Sequence, residues 1–228
     1  MKSKLLLVSI VGLALLVSGC MSITVNSKVD KDGNIENYKI VINTSSLVYG
    51  VLVEGAKKEG FSSLRESLLS NISEDMRDKV TYDEVWSGDT VSIIIEAKGF
   101  VPIKDAKLRI RKEGNYLIYE DLTFKSNKSN ERNISDEFKS NEVNILDEFG
   151  KTLLSSFSLH YYLEMPGKIV ESNANTVKDN KAEWHLVGAD AFNARIYAKS
   201  EIPSMPGFEL WIGIIGLVVG LGLSLRLK

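Results

Sequence analysis

The chain has 228 residues, of which 44% are hydrophobic and 25% charged, and its formal net charge is −2. Residues 21–205 hold 24 basic and 29 acidic residues, so this stretch has a net charge near −5. An acidic balance argues against binding to nucleic acid, whose phosphates attract basic surfaces. The stretch has the length of one ordinary domain. Because the whole chain has a single cysteine, that domain must be stabilised by its hydrophobic core rather than by internal disulfides.

The first twenty residues have the order of a secretory signal. Lys2 and Lys4 precede an uncharged apolar run over residues 5–17, whose 13 residues are fewer than the roughly 20 that a membrane-spanning helix needs. Val17-Ser18-Gly19-Cys20 follows and resembles the lipobox of prokaryotic lipoproteins. The resemblance implies a lipoprotein signal peptide over residues 1–19, removed by a signal peptidase, and a lipid on the thiol of Cys20. An ordinary signal with a chance cysteine and an uncleaved signal anchor are the alternatives.

A second uncharged apolar segment, residues 210–225, is followed by a short basic end with Arg226 and Lys228. As a helix, its 16 residues would reach about 24 Å, somewhat less than a hydrocarbon core of roughly 30 Å. Trp211 suits the outer membrane interface, and basic residues are favoured on the inner side. We therefore expect a C-terminal transmembrane helix that leaves the preceding domain outside the cell.

Pro206-Gly207-Phe208 stands next to this apolar segment. Proline disfavours helix at the residue before it, and glycine leaves the backbone accessible to an enzyme. The motif, the apolar helix and the basic end together resemble the PGF-CTERM sorting signal of archaeal surface proteins. The resemblance implies that residues 206–228 are a sorting signal, which an archaeosortase-like enzyme cuts as it transfers the protein to a membrane lipid. A permanent tail anchor is the alternative.

Residues 20–205 predict an extracellular α+β domain. Residues 26–43 alternate in the manner of a β-hairpin, with Asp32-Gly33 as its turn, and residues 45–58 are compatible with a helix. The main amphipathic helix is predicted over residues 61–79, where four apolar residues recur at spacings of four. This helix stripe consists of Leu64, Leu68, Ile72 and Met76.

β-Branched and aromatic runs predict the strands that follow. They cover residues 80–86, 90–100, 108–112 and 116–124. We therefore expect one antiparallel, strongly twisted sheet packed against one main amphipathic helix.

Residues 125–139 are almost wholly serine, asparagine, lysine, glutamate and arginine, and this composition predicts an exposed polar insertion loop. Asn127 and Asn133 begin N-x-Ser sequons within it, where glycan acceptors are expected. Asn43 and Asn71 also begin sequons, although they lie in predicted ordered elements. All four are candidate glycosylation sites.

A family resemblance lies within residues 157–200, about a fifth of the chain. One strand ends in Met165-Pro166-Gly167, a short strand carries Val170-Glu171-Ser172-Asn173, a hairpin strand carries Trp184-His185-Leu186, and a last strand ends in Ala198-Lys199-Ser200. This order is similar to the closing part of the LppM-like domain of bacterial and archaeal lipoproteins. The resemblance implies binding of a lipid or glycolipid.

Strand alternation places Trp184 and His185 on opposite faces, so we expect Trp184 to be buried against the helix stripe or its neighbours. His160 and His185 are the only histidines in the chain, and without an evident third ligand they do not predict a metal site. The sequence contains no nucleophile elbow, phosphate-binding loop or paired-carboxylate motif. It therefore predicts no catalytic residue and no cofactor, and a protein that is not an enzyme.

We expect a non-enzymatic surface lipoprotein at the outer face of the cell membrane that binds a lipid or glycolipid in an apolar groove between helix and sheet. Two alternatives remain open: an envelope assembly component that binds another surface protein, and a hydrolase whose site is assembled from scattered residues. An apolar cavity would favour lipid binding, and a large exposed apolar patch would favour a protein partner. Convergent histidine and carboxylate side chains would favour the hydrolase.

Overall fold

The computed structural model describes residues 21–70, 72, 74–100, 107–125 and 155–203. Within these residues eleven strands form two mainly antiparallel sheets beside one main helix. The strands are β1 (Ser22–Val29), β2 (Ile35–Ser45), β3 (Val80–Ser87), β4 (Thr90–Phe100), β5 (Leu108–Glu113), β6 (Tyr116–Asp121), β7 (Ser158–Glu164), β8 (Ile169–Ser172), β9 (Thr176–Lys178), β10 (Lys181–Val187) and β11 (Ile196–Glu201). The predicted α+β class is confirmed.

The strands divide into a seven-stranded sheet, ordered β3-β4-β2-β1-β7-β10-β9, and a four-stranded sheet, ordered β5-β6-β11-β8. All neighbours pair antiparallel except β1 and β7, which run parallel with Ser22 opposite Ser158 and Lys28 opposite Glu164. The expectation of one sheet is wrong. The second layer is formed by β5, β6, β8 and β11, because these strands carry a second set of alternating apolar residues that needs its own partner face.

The main helix is α1 (Ser46–Lys58), which packs against β2 and β4. It begins at an N-cap in which the Oγ of Ser45 accepts a 3.3 Å hydrogen bond from the N–H of Val48. It ends before Gly60, whose φ of 92° favours glycine. The helix expected over residues 45–58 is therefore confirmed, and it is the main one.

The long helix expected over residues 61–79 is wrong. The structure has two short helices there, α2 (Leu64–Leu69) and α3 (Glu74–Arg77). Of the predicted stripe, Leu64 alone is buried, and Leu68 is 36% exposed. Serine favours caps over helix interiors, and the hydroxyl of Ser70 donates a 2.7 Å hydrogen bond to the carbonyl of Ser67 where α2 ends. A fourth helix, α4 (Ala189–Phe192), precedes β11.

The turn between β1 and β2 matches the predicted hairpin. The carboxylate of Asp30 accepts hydrogen bonds of 2.8 Å from the backbone N–H groups of Asp32 and Asn34, and Gly33 takes a φ of 88°. An aspartate that accepts bonds from the following backbone stabilises a turn of this kind. The Asp-Gly signal therefore identified both the hairpin and its position.

Trp184 lies in the core, as strand alternation predicted, and is 2% exposed. Its ring meets Tyr161 of β7 edge-on, with centroids 5.8 Å apart, and its Nε1–H donates a 3.0 Å hydrogen bond to Asn173. The face of β10 is therefore confirmed. The neighbour that this geometry identifies is Tyr161 in the same sheet, rather than the broken helix stripe.

Among the described residues, no helix has the length and apolar character needed to cross a membrane. The signal predicted over residues 1–19, the transmembrane segment predicted over residues 210–225 and nearly all of the polar insertion lie outside the described residues.

Candidate functional site

The predicted modification sites lie almost entirely outside the described residues. This holds for Cys20, Pro206, Gly207, Phe208, Asn71, Asn127 and Asn133. Asn43 lies on β2, partly buried, and its Oδ1 accepts a 2.6 Å hydrogen bond from the hydroxyl of Ser92 on β4. All of these assignments stay predictions.

The outward face of α1 is open and carries apolar side chains beside charged ones, among them Glu54 and Lys58. Leu47 is 54% exposed and Val51 is 58% exposed. Gly50 lies between them in the sequence and Gly55 follows, and an added Cβ atom at either glycine would have nothing within 4 Å. A groove of about 880 Å³ runs along this face, and Lys58 lies at its C-terminal end. We call this surface the α1 groove.

The inner side of α1 is fixed to the sheet by a small polar cluster. The hydroxyl of Tyr49 donates a 2.9 Å hydrogen bond to Glu84 of β3, and the hydroxyl of Tyr82 donates to the same carboxylate. Burial, and then the neighbouring Glu84, raise the pKa values of Tyr49 and Tyr82. Tyr49 also meets Trp86 edge-on at 4.9 Å. Trp86 is itself 50% exposed, so an open aromatic surface lies on the edge strand beside Tyr49.

A second polar cluster is buried between the two sheets. The carboxylate of Asp121 accepts hydrogen bonds of 2.9 Å from Tyr38 and 2.8 Å from Tyr161. Tyr119 donates a 3.0 Å hydrogen bond to Ser27, and its hydroxyl also contacts that of Tyr161. Asp121 and both central tyrosines have no exposed surface. We call these residues the tyrosine–aspartate cluster.

The tyrosine–aspartate cluster keeps its hydroxyl groups neutral. Burial raises the pKa values of Tyr38, Tyr119 and Tyr161 well above the ordinary tyrosine range, and the negative charge of Asp121 raises them further. Neutral hydroxyls can donate to a buried carboxylate, which would otherwise lose its hydration without replacement. The cluster therefore acts as a connection between the sheets.

The outer face of the seven-stranded sheet is polar. A cleft of about 310 Å³ lies there. It is lined by Asn26, Ser27, Lys28, Asn37, Tyr162, Leu163, Glu164, Lys181, Ala182 and Glu183. Its charges are largely matched, because Lys28 lies 2.8 Å from Glu36 and Lys181 lies 3.3 Å from Glu164. The cleft therefore has no strong bias towards an anionic or a cationic ligand.

The structure also brings the two histidines together on this outer face. His160 of β7 and His185 of β10 are directly opposite each other in the strand register, and their Nδ1 atoms are 2.9 Å apart. Within the described part of the chain, no group of three or more histidine, cysteine, aspartate or glutamate side chains is arranged to hold a metal ion.

Sequence reasoning missed the tyrosine–aspartate cluster. Its members come from β1, β2, β6 and β7, so they meet only when the two sheets pack. The one signal in the sequence is Asp121, a charged residue that continues the inward-facing positions of Leu117 and Tyr119 on β6. A charged residue at an inward-facing position of a strand requires hydrogen-bonding partners, but the sequence does not identify them.

Three comparisons place the chain among known proteins. No protein-family model matches it. In structure, the chain is similar to the folded domain of LppM from Mycobacterium tuberculosis, with a TM-score of 0.43 and 13% identity over 81% of this chain and 91% of that domain. In sequence, it is 63% identical over 218 residues to an uncharacterized protein of Archaeoglobus fulgidus, across 96% of this chain and 94% of that protein. The chain therefore belongs to the same family as this archaeal protein.

Proposed function

We propose that the protein is a non-enzymatic lipoprotein of the outer membrane face whose α1 groove binds an acyl chain of a lipid or glycolipid. The observation that carries the proposal is the exposure of Leu47 and Val51 on one face of α1, at 54% and 58%. Exposed apolar side chains that adjoin one another are typical of a surface that binds a ligand, a membrane or another protein.

The shape of the α1 groove suits a linear apolar ligand. Gly50 and Gly55 leave the helix backbone open between the larger side chains, so an extended chain can lie close to the helix axis. Apolar burial contributes roughly 0.8 kcal/mol per CH₂ group, and a short stretch of acyl chain is therefore sufficient for measurable binding. Lys58, Glu54 and Glu59 line the same end of the groove and provide an ammonium group and two carboxylates for a hydroxylated or zwitterionic headgroup.

The predicted anchors support a lipid as the occupant. A lipid on Cys20 would hold the domain beside the bilayer, because only Met21 separates that residue from the first strand. Tethering makes the second contact intramolecular and raises the effective concentration of membrane lipid at the α1 groove. A weak acyl-chain site would therefore be occupied at the membrane.

The second candidate is a structural component that binds another surface protein. The same observation favours it, because the α1 face is open, and Trp86 on the edge strand β3 is half-exposed as well. Exposed tryptophan is common at the centre of protein interfaces. The two candidates predict different bound molecules when the protein is extracted from the membrane: a lipid in the first case and another protein in the second.

Native mass spectrometry of the full chain, released from membranes in mild detergent, distinguishes them. We expect lipid adducts that disappear in the Leu47→Ser/Val51→Ser variant. The matched control is Val170→Ser/Val187→Ser, which removes two valines that are 48% and 65% exposed outside the α1 groove, and it should keep the adducts. A protein in place of lipid would support the assembly role. Adducts that persist unchanged in the groove variant would refute lipid binding there.

A further inference from the structure

His160 and His185 form a close cross-strand pair on the outer face of the seven-stranded sheet. They are register partners between β7 and β10, and their ring centroids are 5.2 Å apart with the planes inclined at 59°. The two Nδ1 atoms are 2.9 Å apart. The side chain of His185 is 43% exposed, so solvent and ions reach the pair.

The separation of the two nitrogens matches that of two nitrogen ligands bound to the same metal ion. With metal–nitrogen bonds of about 2.0–2.1 Å, nitrogens 2.9 Å apart subtend an angle of about 90° at the metal. A tetrahedral ion would hold the same atoms about 3.3 Å apart. Angles near 90° are typical of the square-planar and tetragonal sites of Cu(II) and Ni(II) with nitrogen and oxygen ligands.

We propose that His160 and His185 chelate a divalent transition-metal ion through their Nδ1 atoms, with Cu(II) preferred over Ni(II) and Zn(II). The order of preference follows from the ligand geometry and from the general order of affinities of nitrogen sites for these ions. Without metal, a proton shared in an N–H···N hydrogen bond occupies the position between the rings. Metal binding displaces that proton to the Nε2 of the same ring, so that both Nδ1 lone pairs are free for the metal.

Glu183 supports the required tautomer of His185. Its Oε2 lies 3.5 Å from the Nε2 of His185, and a carboxylate there favours a proton on Nε2. The lone pair is then on Nδ1, which faces His160. Carboxylates hold metal-binding histidines in this way in many sites. The backbone N–H of His185 also donates a 2.7 Å hydrogen bond to Asn175, which fixes the strand at this point.

The site has two protein ligands, and water completes the coordination. An ion held in this way is exchangeable and keeps open positions, in contrast to a closed structural metal site. The polar cleft containing Tyr162 and Glu183 begins beside the pair, and the ring of Tyr162 lies 5.9 Å from that of His185. An oxygen donor of a second ligand would therefore approach the metal from the cleft.

The test is electron paramagnetic resonance of the full chain in detergent, purified without a histidine tag and titrated with Cu(II) alone. Because the chain has 2 histidines in total, imidazole hyperfine coupling can come only from this pair. We expect one Cu(II) per chain with coupling to two nitrogens. His160→Gln and His185→Gln should each weaken binding at least tenfold and leave coupling to one nitrogen.

Two further variants distinguish the metal-binding histidines from the carboxylate that positions one of them. Glu183→Gln should weaken binding by about tenfold, within the range for outer-shell groups, and keep the two-nitrogen spectrum. Glu113→Gln removes an exposed carboxylate on β5 and should change nothing. Equal Cu(II) affinity in the wild type and the His160→Gln/His185→Gln variant, or coupling to a single nitrogen in the wild type, would overturn the proposal. Melting curves without metal verify that each variant is folded.

Discussion

Tyr161 donates a 2.8 Å hydrogen bond to the carboxylate of Asp121, and this bond crosses from the seven-stranded sheet to the four-stranded sheet. Both residues are fully buried. Tyr38 provides a second donor to the same carboxylate at 2.9 Å. A buried carboxylate that loses a donor keeps the penalty of dehydration without the compensating bond.

We therefore predict that Tyr161→Phe lowers the free energy of unfolding by about 1–3 kcal/mol. The neighbouring Tyr162 lies on the outer face of β7 and is partly exposed, so Tyr162→Phe should change stability little. Urea denaturation of both variants measures the difference. Equal losses would show that the hydroxyl of Tyr161 contributes nothing specific to the junction.

Alkaline pH should destabilise the domain steeply. The pKa values of Tyr119 and Tyr161 are raised by burial and then by Asp121. Above about pH 10 the unfolded chain releases these protons while the folded chain retains them, so stability is present below that pH and is lost above it. Each such tyrosine reduces stability by about 1.4 kcal/mol per pH unit there. Tyrosinate absorbance should report their ionisation together with unfolding, and early ionisation in the folded protein would contradict this.

Trp184→Ala should strongly lower the melting temperature. Trp184 is 2% exposed and packs edge-on against Tyr161, and truncation of a buried tryptophan typically costs roughly 3–5 kcal/mol. His185 lies on the opposite face of the same strand, and without metal His185→Ala should have little effect. Thermal unfolding followed by circular dichroism compares the two, and similar melting points would refute the assignment of the faces.

Replacing glycine by alanine should stabilise the protein where there is space for a Cβ atom and destabilise it where there is none. Gly50 and Gly55 lie in α1 with nothing within 4 Å of an added Cβ atom, so Gly50→Ala and Gly55→Ala should each stabilise the protein by roughly 0.5–1 kcal/mol. Gly167→Ala should destabilise it, because its Cβ atom would lie 2.2 Å from the carbonyl oxygen of Glu201. Denaturant midpoints measure all three variants. A stabilised Gly167→Ala would contradict the close approach of the two segments.

Processing at both ends stays a prediction from the sequence. We expect the mature protein to begin at lipidated Cys20 and to lack residues 210–228. Replacement of Pro206-Gly207-Phe208 by three alanines should retain the tail. Intact-mass analysis of membrane-extracted protein measures both ends. An unmodified Cys20, or a peptide ending in Lys228 from the mature form, would count against the respective step.

Local signals predicted local structure well. Asp32-Gly33 located the first turn, and alternation placed Trp184 on the buried face of β10. Both depend on a few adjacent residues, whose backbone preferences act wherever the segment lies. The prediction of one helix over residues 61–79 was wrong. The apolar residues there have helical spacing, but the serines favour helix ends and interrupt the helix.

Long-range arrangement was not predictable in the same way. The parallel pairing of β1 with β7 brings Thr24 opposite His160, and no local pattern specifies which strands become neighbours. The second sheet, the tyrosine–aspartate cluster and the meeting of the two histidines all depend on such pairings. The sequence shows two histidines on predicted strands, but the separation of their nitrogens is a property of the assembled sheet.

The course of β7 separates the places where the described chain enters and leaves the domain. β1 starts beside Ser158 at one end of β7, whereas β11 ends at Glu201, whose N–H donates a 2.9 Å hydrogen bond to the carbonyl of Lys168, just past the other end. The 7 residues of β7 span roughly 20 Å. The described chain therefore enters the domain at one end of β7 and leaves it near the other, so tethers at both predicted ends would pull on the domain along its strands rather than on one side of it.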